Sequence, residues 1–177
     1  MLVAILTLSC FATGVFAETP LVYINKNLGF NVEGYKYGQS EFPCNIDTVL
    51  VQNLIERSKA EGIRMESVAT ADKIRNGVIP VLAIDIEQLV LGENFRFGAK
   101  GQSNLPRVQV TAALVTGKGD NDFVMAKHSC AIATLNELTP SSNVLDLGTV
   151  ATVCSATHKC LRDLSKDIVQ WIAPQMK

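Results

Sequence analysis

Residues 154–160 read CSATHKC and gather two of the chain's five cysteines and one of its two histidines. Four chemistries use such a cluster: haem attachment, dithiol redox exchange, metal ligation and disulfide bracing. Haem attachment needs Cys-x-x-Cys-His and thioredoxin-type exchange needs Cys-x-x-Cys, and the chain contains neither string. His128 and Cys130 extend the cluster to five soft or borderline donors, His128, Cys130, Cys154, His158 and Cys160, a set that zinc or copper(I) accepts. Zinc sites pair their ligands at spacings of about two to four residues, however, which only part of this set shows. Disulfide bracing is the remaining use, and the compartment decides for it.

The chain opens MLVAILTLSCFATGVFAETP, uncharged from Met1 to Ala17 and ending Val15-Phe16-Ala17 before Glu18. This apolar run is too short for a comfortable membrane span, and its small residues fit a signal-peptidase site, so residues 1–17 read as an export signal. It lacks the usual basic start. Leu-Ser-Cys at residues 8–10 raises lipid attachment at Cys10 as a lesser alternative, because the aliphatic residue sits one place too close to the cysteine. Residues 18–177 then form a single exported domain holding Cys44, Cys130, Cys154 and Cys160. An even number of cysteines in an oxidising compartment predicts two disulfides and a periplasmic or secreted protein. The net charge of −1 with scattered Lys and Arg excludes a basic stripe for nucleic acid. After the signal, no apolar stretch is long enough to span a membrane, which leaves peripheral association as the membrane role.

These residues need elements to position them. LVYIN (21–25) reads as a short strand, and TVLVQNLIERSKAE as a helix capped by Asn45 or Asp47 and stopped at Gly62. IRMESVA alternates as an exposed strand, and TADKIRNG as a turn or short helix. VIPVLAIDIEQLVLG is the longest strand signal, with Leu82, Ile84 and Ile86 on one face and Asp85 and Glu87 on the other. RVQVTAALV and FVMAKHSCAIA pair as a hairpin across GKGDND. Val124, Ala126, His128, Cys130 and Ile132 share the inward face. A helix from about Gly148 to Ala173 closes the chain. The order β-α-β-β-β-β-α predicts an α+β fold: a mainly antiparallel sheet of about five strands with two helices on one face.

On the last helix, a step of about 100° per residue aligns Val153, Thr157, Ile168 and Trp171 with Leu164 as the buried stripe. Cys154 and Cys160 border that stripe from opposite sides, so each needs a partner elsewhere. If the helix starts beside the end of the preceding strand, Cys130 meets Cys154, and Cys160, about 9 Å further along the axis, meets Cys44. His158 falls about 120° from the stripe and points to water.

No catalytic constellation accompanies the cluster. Asp85 and Glu87 are one strand's solvated alternation, the two histidines give a Ser-His-Asp arrangement little material, and the glycine-containing loops open no helix to cradle phosphate. The chain therefore reads as non-enzymatic, with no cofactor and no metal. Two aromatic loops remain as partner-binding candidates: Tyr35 and Tyr37, with Phe30 and Phe42 nearby, in the first, and Phe95, Arg96 and Phe97 in the second.

VLVQNLIERSKAEGIRM, VLAIDIEQLVLG, RVQVTAALVTGKG, FVMAKHSCAIA and LSKDIVQWI, taken in order, resemble the periplasmic auxiliary lipoproteins of ABC-type transport systems. The resemblance covers roughly residues 45–173 and rests on element order and apolar pattern, so no functional residue is carried over. It implies a cell-envelope accessory role in transport, with an envelope protein or a small lipid-like or solute ligand as partner. The alternative is a periplasmic metal-binding protein using the His and Cys donors above.

Overall fold

The structure is a computed structural model that describes residues 19–32, 42–90, 107–117, 122–131 and 150–176. Its strands are β1 (Leu21–Asn25), β2 (Gly29–Phe30), β3 (Arg64–Val68), β4 (Val81–Val90), β5 (Arg107–Val115) and β6 (Phe123–Ala131). Its helices are α1 (Ile46–Ala60), the one-turn α2 (Ala71–Ile74) and α3 (Val150–Ile172). The strands form one sheet in the order β3-β1-β4-β5-β6, with β2 lying against β4 beyond the end of β1. The α+β class and the element order are as the sequence predicts, with β2 added and TADKIRNG forming the short helix α2.

The sheet is mixed. β4, β5 and β6 form antiparallel ladders along almost their whole length, whereas β1 runs parallel to β3 and β4. The parallel half follows from α1, because a strand-helix-strand crossover returns the chain in its original direction. Gly29 pairs with Asp85, and a Cβ there would sit 1.7 Å from the Asp85 carboxylate, so the first position at which the chain rejoins β4 requires a residue without a side chain.

α1 and α3 pack against each other and against one face of the sheet. The core joins Ile46, Leu50 and Leu54 of α1 with Leu82, Ile84 and Ile86 of β4, Val108 to Leu114 of β5, and Leu161, Leu164 and Ile168 of α3. α1 ends where Gly62 adopts φ +69°, a left-handed turn that closes Ile63 N–H onto the Ser58 carbonyl. Val124, predicted inward, is 38% exposed. It lies on the face the alternation requires, but β6 is the sheet edge, and its ties to α3 begin further along, at His128 and Cys130.

On the opposite face a bulge between Ile86 and Gln88 projects Glu87 across the ladder. Its carboxylate accepts hydrogen bonds from Thr111 Oγ1 (2.5 Å) and Gln109 Nε2 (3.3 Å) on β5, and from Lys127 Nζ (2.8 Å) on β6. The Lys127 hydrogen bond foremost, then that of Thr111, holds the Glu87 carboxyl below its ordinary value of 4.5. A depressed carboxylate stabilises the fold at pH above its unfolded value and loses that contribution as pH falls through the folded one. The acid limb of stability measured by urea melts is therefore expected to flatten in Lys127→Met, and an unchanged limb would remove Glu87 from acid sensitivity.

Candidate functional site

The cluster of residues 154–160 is built on the first three turns of α3, where spacing fixes what each side chain reaches. Cys154 and His158 are four residues apart and stack on one face. Both meet Cys44: the sulfurs of Cys44 and Cys154 are bonded with Cα atoms 5.1 Å apart, and His158 Nε2–H donates to the Cys44 carbonyl at 2.8 Å. The donation assigns the proton of His158 to Nε2. Cys44 and Asn45 both lie in the left-handed region, at φ 57° and 51°, immediately before α1. Asparagine tolerates that conformation, but it is costly for Cys44, which α3 grips at two points. Asn45 is the N-cap residue, as predicted, but its side chain makes no capping bond.

Cys160 points the other way and bonds Cys130 of β6, with Cα atoms 5.4 Å apart. The pairing is thus Cys44–Cys154 and Cys130–Cys160, not the Cys130–Cys154 and Cys44–Cys160 expected. The reason is where α3 starts. Its early turns lie beside the 3₁₀ turn Pro43–Asn45 that leads into α1, not beside the end of β6, so the first cysteine of the helix meets the first cysteine of the domain. The same displacement turns His158 from the water expected for it onto the Cys44 carbonyl.

Beyond Cys130 the strand buries His128, which donates from Nδ1–H to Asp167 Oδ2 at 2.6 Å and meets Trp171 edge to face at 5.3 Å. His128 Nε2 is buried without a hydrogen-bond partner among the described residues. The five donors considered for a metal are therefore divided among two disulfides and two separate hydrogen bonds. No group of three or more His, Cys, Asp or Glu among the described residues is arranged to hold a metal ion.

The grip on Cys44 also shapes a groove. A cavity of about 360 Å³ opens between the loop after β1, the first turns of α1 and the end of β3. Leu28, Phe42 and Val51 line it with buried apolar surface, and Lys26, Asp47 and Gln52 bring charge and polarity. Phe42 precedes the 3₁₀ turn, and Asp47 sits in the first turn of α1, so one wall is carried by the segment that Cys154 and His158 hold. Phe42 is 7% exposed and meets Phe30 edge to face at 5.5 Å, so this aromatic of the first loop belongs to the core. The predicted partner-binding residues Tyr35, Tyr37, Phe95, Arg96 and Phe97, like Ile132, lie outside the described residues. The sequence reading missed Lys26, Asp47 and Gln52 as rim residues, which carry no motif, and it took Cys154-x-x-x-His158 as part of a donor set, where the structure puts both side chains on Cys44.

No protein-family model matches the chain, and no curated protein matches it. Among solved structures it is similar to a DUF330 protein from Xanthomonas campestris, at 17% identity and TM-score 0.49 over 88% of this chain and 86% of that one. It is also similar to the PelC dodecamer from Paraburkholderia phytofirmans (16% identity, TM-score 0.40, 83% and 88% of the two chains). A third likeness is to a minor lipoprotein from Acinetobacter baumannii (10% identity, TM-score 0.39, 89% and 94%). At these scores none transfers a role, a partner or an assembly to this chain. No helix among the described residues is long and apolar enough to cross a membrane.

Proposed function

We propose that this chain is an exported accessory domain of the bacterial envelope, which works by binding a protein or a small amphipathic ligand and not by catalysis. The observation that carries the reading is the use of the cluster at residues 154–160. Its sulfurs are bonded to Cys44 and Cys130, and its imidazole is held on a backbone carbonyl, so the residues best suited to reactive work are engaged in bracing. Bracing of this kind belongs to an oxidising compartment, in keeping with residues 1–17 as an export signal. The groove beside α1, with an apolar floor and a charged rim, is the place for a lipid-like or solute ligand, and its size falls in the range of small-ligand sites. The resemblance of residues 45–173 to auxiliary lipoproteins of transport systems supports a role beside such a system.

The test is crosslinking in the native envelope, followed by identification of what co-purifies and by intact mass of the purified protein. The expected protein is lighter than its reduced form by four hydrogens and is recovered from the envelope with a defined protein or lipid species. Recovery from the cytosol with free thiols, or labelling of one residue by an active-site-directed probe, would overturn the reading.

A further inference from the structure

The described residues expose five large apolar side chains, and four of them, Val115, Phe123, Val124 and Met125, meet at one end of the β5–β6 hairpin. Met125 is 59% exposed. Among the described residues they border an open edge of the sheet, because β6 is last in the strand order and pairs with β5 alone. The Thr116 N–H donates to the Asp122 carbonyl, which sets the alternation of the ladder. Even-numbered residues of β6 bond to β5, and Phe123, Met125, Lys127, Ser129 and Ala131 turn their N–H and C=O groups outward. The same residues carry their side chains on the face without helices.

Soluble proteins guard such edges with charge, above all lysine, or with short strands. The other edge is guarded: β3 has five residues and exposes Arg64 and Glu66, paired at 3.3 Å. β6 has nine residues and one lysine, whose backbone lies on the edge but whose ammonium group is drawn away from it. Lys127 leans back across β5 to Glu87 on β4, so its charge is drawn inward and compensated, and its methylene stem lies over the sheet.

We propose that this edge is a docking surface for a second copy of the chain, which adds its own β6 antiparallel about a two-fold axis through Met125. This goes beyond the binding role above and does not depend on it. Among axes through Met125, Ala126 and Lys127, charge and shape select the first. An axis through Lys127 would set two lysines opposite each other, a repulsive pair. An axis through Ala126 would set Phe123 against a serine. The axis through Met125 pairs the two Met125 side chains and lays each Phe123 on the stem of Lys127 of the other copy, whose charge Glu87 already balances. A self-complementary patch on one edge is what a two-fold dimer requires.

The test uses the oxidised protein purified from the envelope. Sedimentation is expected to show a concentration-dependent monomer–dimer equilibrium, and Met125→Lys, which restores an edge charge at an exposed position, is expected to weaken it about tenfold or more. Register is read by engineered cysteines. Directly opposed outward residues have Cα atoms about 5.5 Å apart, within disulfide reach, so Met125→Cys links to itself under mild oxidation. Val78→Cys, more accessible at 75% exposure but away from the edge, does not. A protein that stays monomeric up to about 0.1 mM would overturn the proposal. So would a dimer indifferent to Met125→Lys, or equal linking through residues 78 and 125. Thermal melts of each variant establish that it is folded.

Discussion

Replacing Cys44 and Cys154 together by alanine is expected to lower the unfolding free energy by about 4 kcal/mol, or about 8 to 16 °C in Tm for a domain of this size. The bridge joins positions 110 residues apart, and in the chain-entropy model a loop of that length restrains the unfolded chain by about 5 kcal/mol. Part of this is returned locally. Cys44 lies at φ 57°, a conformation that costs a side-chain-bearing residue about 1 kcal/mol and that the cut segment can leave, while asparagine tolerates its own left-handed geometry. The loss should not be spread evenly. Amide exchange is expected to rise first in the 3₁₀ turn and the opening turn of α1, which also form a wall of the groove, and to stay slow in β4 and β5 until global unfolding. His158 alone cannot retain that turn, since a single hydrogen bond contributes about 1 kcal/mol net. A loss below about 1 kcal/mol, or unchanged protection at the start of α1, would show that the turn is held by something other than Cys154.

How much of this was readable in the residues depends on whether the determining contact was local. β4 was legible because Leu82, Ile84 and Ile86 alternate with polar residues, and alternation is a property of one strand. The buried stripe of α3 was legible for the same reason: Thr157, Leu164 and Ile168 are buried and Trp171 is half-buried where the helical period puts them. The cysteine pairing was not. Both possible pairings satisfy the helix geometry, and the choice rests on which end of the sheet α3 starts from, a tertiary fact that residues 132–149 do not encode as a pattern. The bulge beside Glu87 was hidden too. Glu87 and Gln88 are both polar, so the slip in register leaves no apolar residue on the wrong side until Leu89. The groove draws its wall from three elements, and its rim residues look like any solvated loop or helix face until α1 is docked. The aromatic loops stand out by composition alone, and of their residues Phe42 belongs to the core and Phe30 packs against it.

The second large effect concerns how the bridge and the core cooperate. Leu164 is 1% exposed under α3, and Leu164→Ala is expected to cost about 3 to 5 kcal/mol, in the upper part of the range for buried leucine. The size of that cost depends on whether the helix can sink into the space left behind. One turn before Leu164, Cys160 is bonded to Cys130 of β6, and one turn after it Asp167 holds His128, so the helix is fixed to the strand on both sides of the cavity. Arg162→Ala, exposed on the same turn, is expected to change stability by no more than about 0.5 kcal/mol. The distinguishing experiment is a double-mutant cycle by urea denaturation, with Leu164→Ala made in the native background and in Cys130→Ala/Cys160→Ala. Cutting the bridge frees the helix to close on the smaller side chain, so the leucine should cost less there, by about 1 kcal/mol or more. If the two costs agree within about 0.5 kcal/mol, the Cys130–Cys160 bond restrains the unfolded chain only and leaves the native helix as free to settle as before.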